Sequence, residues 1–263
     1  MNNILYEIIS YKRKEINQLK KEFSKVNLLK REKKIHYFSQ NFKGNKVKII
    51  AEIKPSSPSE GMIISPDRIV EIVKIYSSYE IAGISVLTDR KYFNGDYKNL
   101  EIVSNYTNKP VLCKEFIIDK FQIDLAYYFG ADAILLIIEA LTEKELIELY
   151  EYAQSLNLEI LVEFHNEKNI DIINRNNFKI VGINNRNLDT MKVDIRNSIR
   201  LRDKIKRDDI ILISESGIYK KEDLRLLEKY NFHGALIGTS ILKSKNLRNK
   251  LNELVNYNKE EGV

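Results

Sequence analysis

From Gly44 onward the chain repeats one unit: a short run rich in Ile, Val and Leu, a polar turn, then a longer segment with apolar residues at helical spacing. The runs fall at 47–54, 81–87, 110–114, 133–138, 159–164, 180–184, 210–214 and 234–237, and helical periods fall between them at 66–79, 142–156, 220–230 and 247–257. Runs that are nearly continuous in apolar residues belong to strands buried on both faces, which means a parallel sheet covered by helices. Eight such units close into a (β/α)8 TIM barrel. The competing architecture, a doubly wound open sheet, normally carries a glycine-rich nucleotide turn after its first strand. Here that turn reads Pro55-Ser56-Ser57-Pro58, and neither G-x-G-x-x-G nor G-x-x-x-x-G-K occurs. At roughly 150 residues per domain the 263 residues allow one or two domains, and barrels reach about 250 as one unit. With no linker-like segment after Gly44, a single domain over 1–263 is expected, of which about 1–44 is an N-terminal helical extension.

In that extension Ile4, Leu5, Ile8, Ile9, Ile16, Leu19 and Phe23 recur at helical spacing among lysines and arginines, which predicts one or two amphipathic helices over 2–38. A helix packed on the barrel with a solvated basic face is the expectation, rather than a nucleic-acid or membrane contact. A formal net charge of +6 suits an anionic ligand and falls short of a nucleic-acid signature. The lone cysteine, Cys113, cannot form an intramolecular disulfide, and His36, His165 and His233 are too scattered for a metal site. No apolar run approaches the ~20 residues of a membrane helix, and the start lacks the layout of a secretory signal. A cytoplasmic enzyme acting on a small molecule, with no metal, no cofactor, no nucleic acid and no membrane partner, is the expectation.

Side chains alternate across a strand, and barrel active sites form at the C-terminal strand ends. Glu52 and Lys54 are two apart at the end of the first run, so they share a face; Lys114 and Phe116 do so at the end of the third, with Glu115 opposite. Glu163 ends the fifth run, Asn184 and Arg186 pair at the sixth, and Glu215 stands in register with Ile213 at the seventh. Lys114 taken alone is as readily a strand-end lysine reaching solvent, and Glu163, Asn184, Arg186 and Glu215 taken singly are more often ordinary loop polar residues. Gathered in one low-dielectric mouth they must pair or shift their pKa values, which favours catalysis. Ser216-Gly217 after the seventh run and Gly238-Thr239-Ser240 after the eighth suggest a phosphate cradle, because glycine lets backbone N–H groups approach phosphate oxygens.

Seven stretches in order then carry a family resemblance: AEIKPSSPSEG from Ala51, SVLTDRKYFNGDY from Ser85, PVLCKEFIIDKFQI from Pro110, GADAILLI from Gly130, GINNRNL from Gly182, SESGI from Ser214 and ALIGTSIL from Ala235. The sequence strongly resembles the indole-3-glycerol phosphate synthases. That resemblance implies ring closure of 1-(2-carboxyphenylamino)-1-deoxyribulose 5-phosphate to indole-3-glycerol phosphate, with loss of carbon dioxide and water, in tryptophan biosynthesis. By matched position it implies Lys114 as the general acid on the substrate ketone, and Glu163 and Lys54 as the acid-base pair of the dehydration, without saying which protonates the leaving hydroxyl. It implies Glu52, Asn184 and Glu215 as groups that orient the lysines and hold substrate hydroxyls. Phe93, Phe116, Leu135 and Leu236 correspond to the wall around the anthranilate ring, and Arg186 to a group near the substrate carboxylate or supporting the pocket. Ser57, Ser216, Gly217, Gly238 and Thr239 correspond to substrate and phosphate contacts, and the extension to a segment packed over the barrel mouth.

The chain departs from the usual family pattern at Pro55, Glu60 and Glu115, where relatives often carry a basic residue, a basic residue and Asp. The first two make the loop after the first strand less basic and bear on substrate affinity; Glu115 keeps its charge and is expected to face away from Lys114. A fused phosphoribosylanthranilate isomerase is not expected. A monomer is, with association with other tryptophan-pathway enzymes left open. Two other readings remain at this stage: a Schiff-base aldolase on the same barrel with Lys114 as nucleophile, and a barrel that binds without turning over.

Overall fold

The computed structural model describes residues 4–187 and 191–259; Asn2 in the expected N-terminal helix and Leu188 in the GINNRNL stretch lie outside the described residues. The barrel strands are β1 (Lys48–Ile53), β2 (Gly83–Leu87), β3 (Val111–Lys114), β4 (Ala133–Ile137), β5 (Glu159–Phe164), β6 (Ile180–Asn184), β7 (Ile211–Glu215) and β8 (Gly234–Ile237). The helices are α1 (Ile4–Glu22), α2 (Ile69–Ser77), α3 (Arg90–Phe93), α4 (Tyr97–Asn105), α5 (Lys120–Tyr128), α6 (Glu143–Ser155), α7 (Ile170–Arg175), α8 (Arg196–Arg202), α9 (Lys221–Lys229), α10 (Thr239–Leu242) and α11 (Leu247–Val255). Among the described residues every barrel strand is parallel to its neighbours in sequence, and β8 closes on β1, giving the expected TIM barrel ringed by helices.

Local chemistry sets the helix starts. Asp89, Asp96, Asp119 and Thr142 each accept backbone N–H groups at the first turns of α3, α4, α5 and α6, and Gln122 and Glu145 complete capping boxes at the latter two. The helical period expected at 66–79 opens as a 3-10 turn, Pro66–Arg68, before α2, since proline suits a first helical position, where its missing N–H has no partner to lose. The expected strand at 210–214 is shifted one residue on, and Glu215 thereby becomes part of the strand. A small hairpin, Ser56–Ser57 paired with Gly61–Met62, follows β1 and was not foreseen. Gly61 at its turn has φ +63°, a conformation that glycine adopts without a Cβ clash.

The extension contains one long helix, not two. Beyond Phe23 the chain proceeds through local turns, and two of its backbone donors are met by the barrel: the His36 N–H donates to Asp132 Oδ1 at 3.1 Å, and the Ser39 N–H to the Glu159 carboxylate at 3.1 and 3.3 Å. Arg31, buried with Asp132, binds its carboxylate at 2.7 Å. These contacts run along the N-terminal end of the barrel, so only α1 reaches the mouth, while residues 31–42 strap the opposite end. There Phe38 and Phe42 pack under the inward-facing Ile50, Leu112, Leu161 and Ile213. Gly83 has no room for a Cβ, which would meet the Phe38 ring.

Alternate side chains of β1, β3, β5 and β7 point inward, apolar below (Ile50, Leu112, Leu161, Ile213) and polar above (Glu52, Lys114, Glu163, Glu215). The outer strand faces pack the helices in a continuous apolar shell. Phe38→Ala, which removes the 3%-exposed plug, is expected to destabilise the fold by about 3–5 kcal/mol in urea unfolding. A change under about 1 kcal/mol would show that the lower layer closes without it.

Candidate active site

At the end of β3 the Lys114 side chain turns into the barrel, and its Nζ lies 2.6 Å from Glu163 Oε2 on β5 and 2.5 Å from Glu215 Oε2 on β7. Asn184 at the end of β6 donates from Nδ2 to Glu163 Oε1 at 2.9 Å, and its Oδ1 accepts the Arg186 N–H at 2.9 Å. Just past β1, Lys54 Nζ is 2.8 Å from Oε1 of Glu52 on that strand. All of these residues line one cavity at the C-terminal end of the barrel. Two glycines open the space that the carboxylates occupy: a Cβ at Gly182 would collide with Glu215, and one at Gly238 with Glu52.

Burial and charge set the protonation. Burial opposes the Lys114 ammonium, but the charges of Glu163, Glu215 and Glu52 outweigh it and push the pKa up, so the lysine stays charged. Burial opposes the Glu163 carboxylate too; the Lys114 charge and the hydrogen bonds from Lys114 and Asn184 overcome it and hold the group below its ordinary value. Glu215 goes the other way. Burial, then the charge of Glu163, push it from the ordinary 4.5 to about 8 against the pull of Lys114. Among the described residues no hydrogen-bond donor is aimed at its buried Oε1. Burial and charge thus favour one ammonium, one carboxylate and one carboxyl group drawn towards its neutral form in this cluster, which lowers the net charge that the low-dielectric interior must carry.

The apolar side of the cavity is formed by Phe93, Phe116, Leu135 and Leu236, with the Phe93 and Phe116 ring centroids 6.1 Å apart and tilted by 35°. Ser57 lies on the hairpin after β1 and Arg186 on the loop after β6, where Arg186 Nη1 also donates to the Met191 carbonyl at 3.2 Å. Ser216, Gly217, Gly238 and Thr239 border the cavity past β7 and β8. Ser216 and Gly217 adopt successive left-handed conformations, φ +67° and +74°, and Ser240 Oγ ties the two loops by donating to the Ile218 carbonyl at 2.9 Å. Every residue expected from the sequence to act in catalysis or to contact substrate or phosphate borders this cavity. Glu115, as strand alternation requires, sends its carboxylate away from it, to Lys12 and Thr88.

The resemblance implies an extension over the barrel mouth, where α1 lies, but not which of its side chains form the roof. Ile4, Leu5 and Ile8 of α1 cover the cavity, and Tyr219 and Met191 stand at its rim. The signal for α1 was present, since Leu5 and Ile8 lie on the buried stripe that continues through Ile16 and Leu19, but periodicity does not say what a helix covers. Glu60, which departs from the family pattern, borders the cavity and forms an ion pair with Lys243, so its charge is partly neutralised. Among the described residues no His, Cys, Asp and Glu cluster has the arrangement of a metal site, and no helix is long and apolar enough to cross a membrane.

Residues 5–254 match the family model described as Indole-3-glycerol phosphate synthase. The chain is 39% identical over 249 residues to the indole-3-glycerol phosphate synthase of Bacillus mycoides, covering 95% of this chain and 96% of that protein. It is 40% identical over 264 aligned residues to the synthase of Prochlorococcus marinus subsp. pastoris, covering 97% and 90%. To the tryptophan biosynthesis protein TrpCF of Helicobacter pylori it is 39% identical over 97% of its own length, but it spans only 55% of that longer protein. Among solved structures it resembles 3-hexulose-6-phosphate synthase (TM-score 0.64, 14% identity, 80% of this chain and 99% of that one). It also resembles the tryptophan synthase alpha-subunit of Pyrococcus furiosus (TM-score 0.60, 13% identity, 79% and 97%). Identities this low report a shared barrel only.

Because Glu215 keeps a proton in the folded state that the unfolded chain releases near 4.5, its contribution to stability is lost as pH rises towards about 8. Glu215→Gln, the neutral isostere, removes that dependence. Its melting temperature relative to the parent should therefore rise steadily between about pH 5 and pH 8, and a flat difference would show that Glu215 is ionised throughout.

Proposed function

The chain belongs to the indole-3-glycerol phosphate synthase family, and on that premise we propose how its cavity carries out the ring closure. The reaction converts 1-(2-carboxyphenylamino)-1-deoxyribulose 5-phosphate to indole-3-glycerol phosphate, carbon dioxide and water in tryptophan biosynthesis. Its bond changes set the requirements. The ring carbon bearing the carboxylate attacks the ketone, whose oxygen must gain a proton; carbon dioxide leaves and restores aromaticity; the new hydroxyl then departs as water while a C–H proton is removed. Two protons are delivered and one is taken up by a base, so the cycle consumes one proton from solvent.

Lys114 is the acid for the first step. The carrying observation is its Nζ, held between Glu163 and Glu215 under an apolar wall, where an ammonium both donates a proton and stabilises charge growing on the ketone oxygen. The raised pKa keeps Lys114 protonated at the start of the step and disfavours Schiff-base chemistry, which needs the neutral amine. Glu163 and Lys54 stand on opposite walls as the pair for the dehydration. Glu163, the ionised carboxylate, suits the base that removes the C–H proton, which leaves Lys54, 2.8 Å from Glu52, to protonate the leaving hydroxyl.

Asn184, Glu52 and Glu215 orient the lysines and Glu163. Phe93, Phe116, Leu135 and Leu236 take the anthranilate ring, Arg186 and Ser57 the polar groups beside it. Ser216, Gly217, Gly238 and Thr239 take the phosphate through backbone N–H groups at two loops after the last strands. Holding the ring carbon against the ketone in one orientation supplies much of the acceleration. Since one chain provides all of these groups, a monomer suffices, and a doubly charged phosphoester substrate that does not cross membranes supports action in the cytoplasm.

Lys114→Met should lower kcat by about 10²–10⁴-fold or more while the protein melts cooperatively, with indole-3-glycerol phosphate formation followed by the fluorescence of its indole ring. A near-normal rate would remove Lys114 from the first step.

A further inference from the structure

Lys12, one turn beyond Ile8 on α1, is only 1% exposed, an unusual state for a lysine. Its Nζ is 2.6 Å from Glu15 Oε2, 2.7 Å from Asp89 Oδ2 and 2.9 Å from Glu115 Oε1. Glu15 belongs to the same helix, whereas Asp89 lies past the end of β2 and Glu115 follows β3. Burial opposes the ammonium, but the three carboxylates outweigh it and keep it charged.

Both distant partners hold the aromatic wall. Asp89 Oδ1 accepts the Tyr92 and Phe93 N–H groups at 2.6 and 3.2 Å, fixing the start of the short helix that carries Phe93. Glu115 Oε1 accepts the Phe116 N–H at 2.7 Å, and its Oε2 accepts Thr88 Oγ1 at 3.0 Å. One buried cation therefore joins the roof helix, with Leu5 and Ile8 over the cavity, to the two loops that present the Phe93 and Phe116 rings. It touches neither the cavity nor Lys114. Thermodynamically an apolar replacement of such a cluster often holds a fold as well as the ions do, so stability alone does not account for it.

We propose that Lys12 is a positioning residue for the aromatic half of the substrate site: its contacts with Asp89 and Glu115 set the distance between the roof of α1 and the Phe93–Phe116 wall. The inference rests on the assignment of that wall to the anthranilate ring. The phosphate end, past β7 and β8, is outside the reach of this cluster, so the two halves of the site separate experimentally.

The test measures competitive inhibition of the ring closure by two fragments, 2-(methylamino)benzoate for the aromatic half and glycerol 3-phosphate for the other. In Lys12→Met the inhibition constant of the aromatic fragment should rise about tenfold and that of glycerol 3-phosphate stay within about twofold, with KM for the full substrate rising more than kcat falls. Lys12→Arg, which keeps the charge, should recover part of the loss. A double variant, Lys12→Met with Glu15→Gln, removes a carboxylate along with the cation and leaves Asp89 and Glu115 with their backbone and Thr88 donors, so the comparison survives if the single variant folds poorly. Equal weakening of both fragments, or constants unchanged for both, overturns the proposal. Phe93→Ala serves as the control: if it leaves the aromatic fragment unaffected, the wall does not hold the ring and the premise falls; if it weakens that fragment while Lys12→Met does not, only the role of Lys12 falls.

Discussion

An ammonium inside a barrel needs its charge answered within hydrogen-bonding distance, and Lys114 is answered twice, by Glu163 and Glu215. Burial, and then the charge of Glu163, disfavour a second ionised carboxylate beside it, so the raised pKa of Glu215 follows from the geometry. The surrounding backbone yields to the same requirement. Gly182 and Gly238 lack the Cβ atoms that would occupy the carboxylate positions of Glu215 and Glu52, and the residues immediately below, such as Leu161 and Ile213, are apolar and keep water from reaching the cluster from beneath.

The N-terminal extension serves both ends of the barrel. Its helix roofs the mouth with Ile4, Leu5 and Ile8, and the strap that follows closes the base with Phe38 and Phe42. Each end is fastened by a buried basic residue on carboxylates, Lys12 above and Arg31 below. Such pairs add little net stability compared with apolar packing, but their directionality fixes how one element sits on another. Roof, wall and acid thus come from segments far apart in the chain, held at set distances by charge.

Strand order and the inward set of side chains were legible because each run has one strong signal, continuous burial, and one simple rule, alternation. The expected runs at 159–164, 180–184 and 234–237 coincide with β5, β6 and β8, and the displacement of β7 by one residue left Glu215 on the inward face where register with Ile213 had put it. Less was legible where the chain follows no period. The segment after Glu22 is fastened to the barrel through Asp132 and Glu159, about a hundred residues away or more, and nothing local announces that. Lys12 looked like one more lysine on a basic helix. Its burial depends on two carboxylates contributed by loops whose proximity only the closed barrel creates.

Composition, the eightfold alternation and the two-residue spacing at strand ends determined the architecture and the list of polar side chains that face inward, since each of these is a property of neighbours along the chain. Which of those side chains touch was decided by closure: Lys114 meets partners 49 and 101 residues away. Their protonation was decided there too, because desolvation and the fields of nearby charges sum over distance in space, a quantity that a linear sequence does not contain.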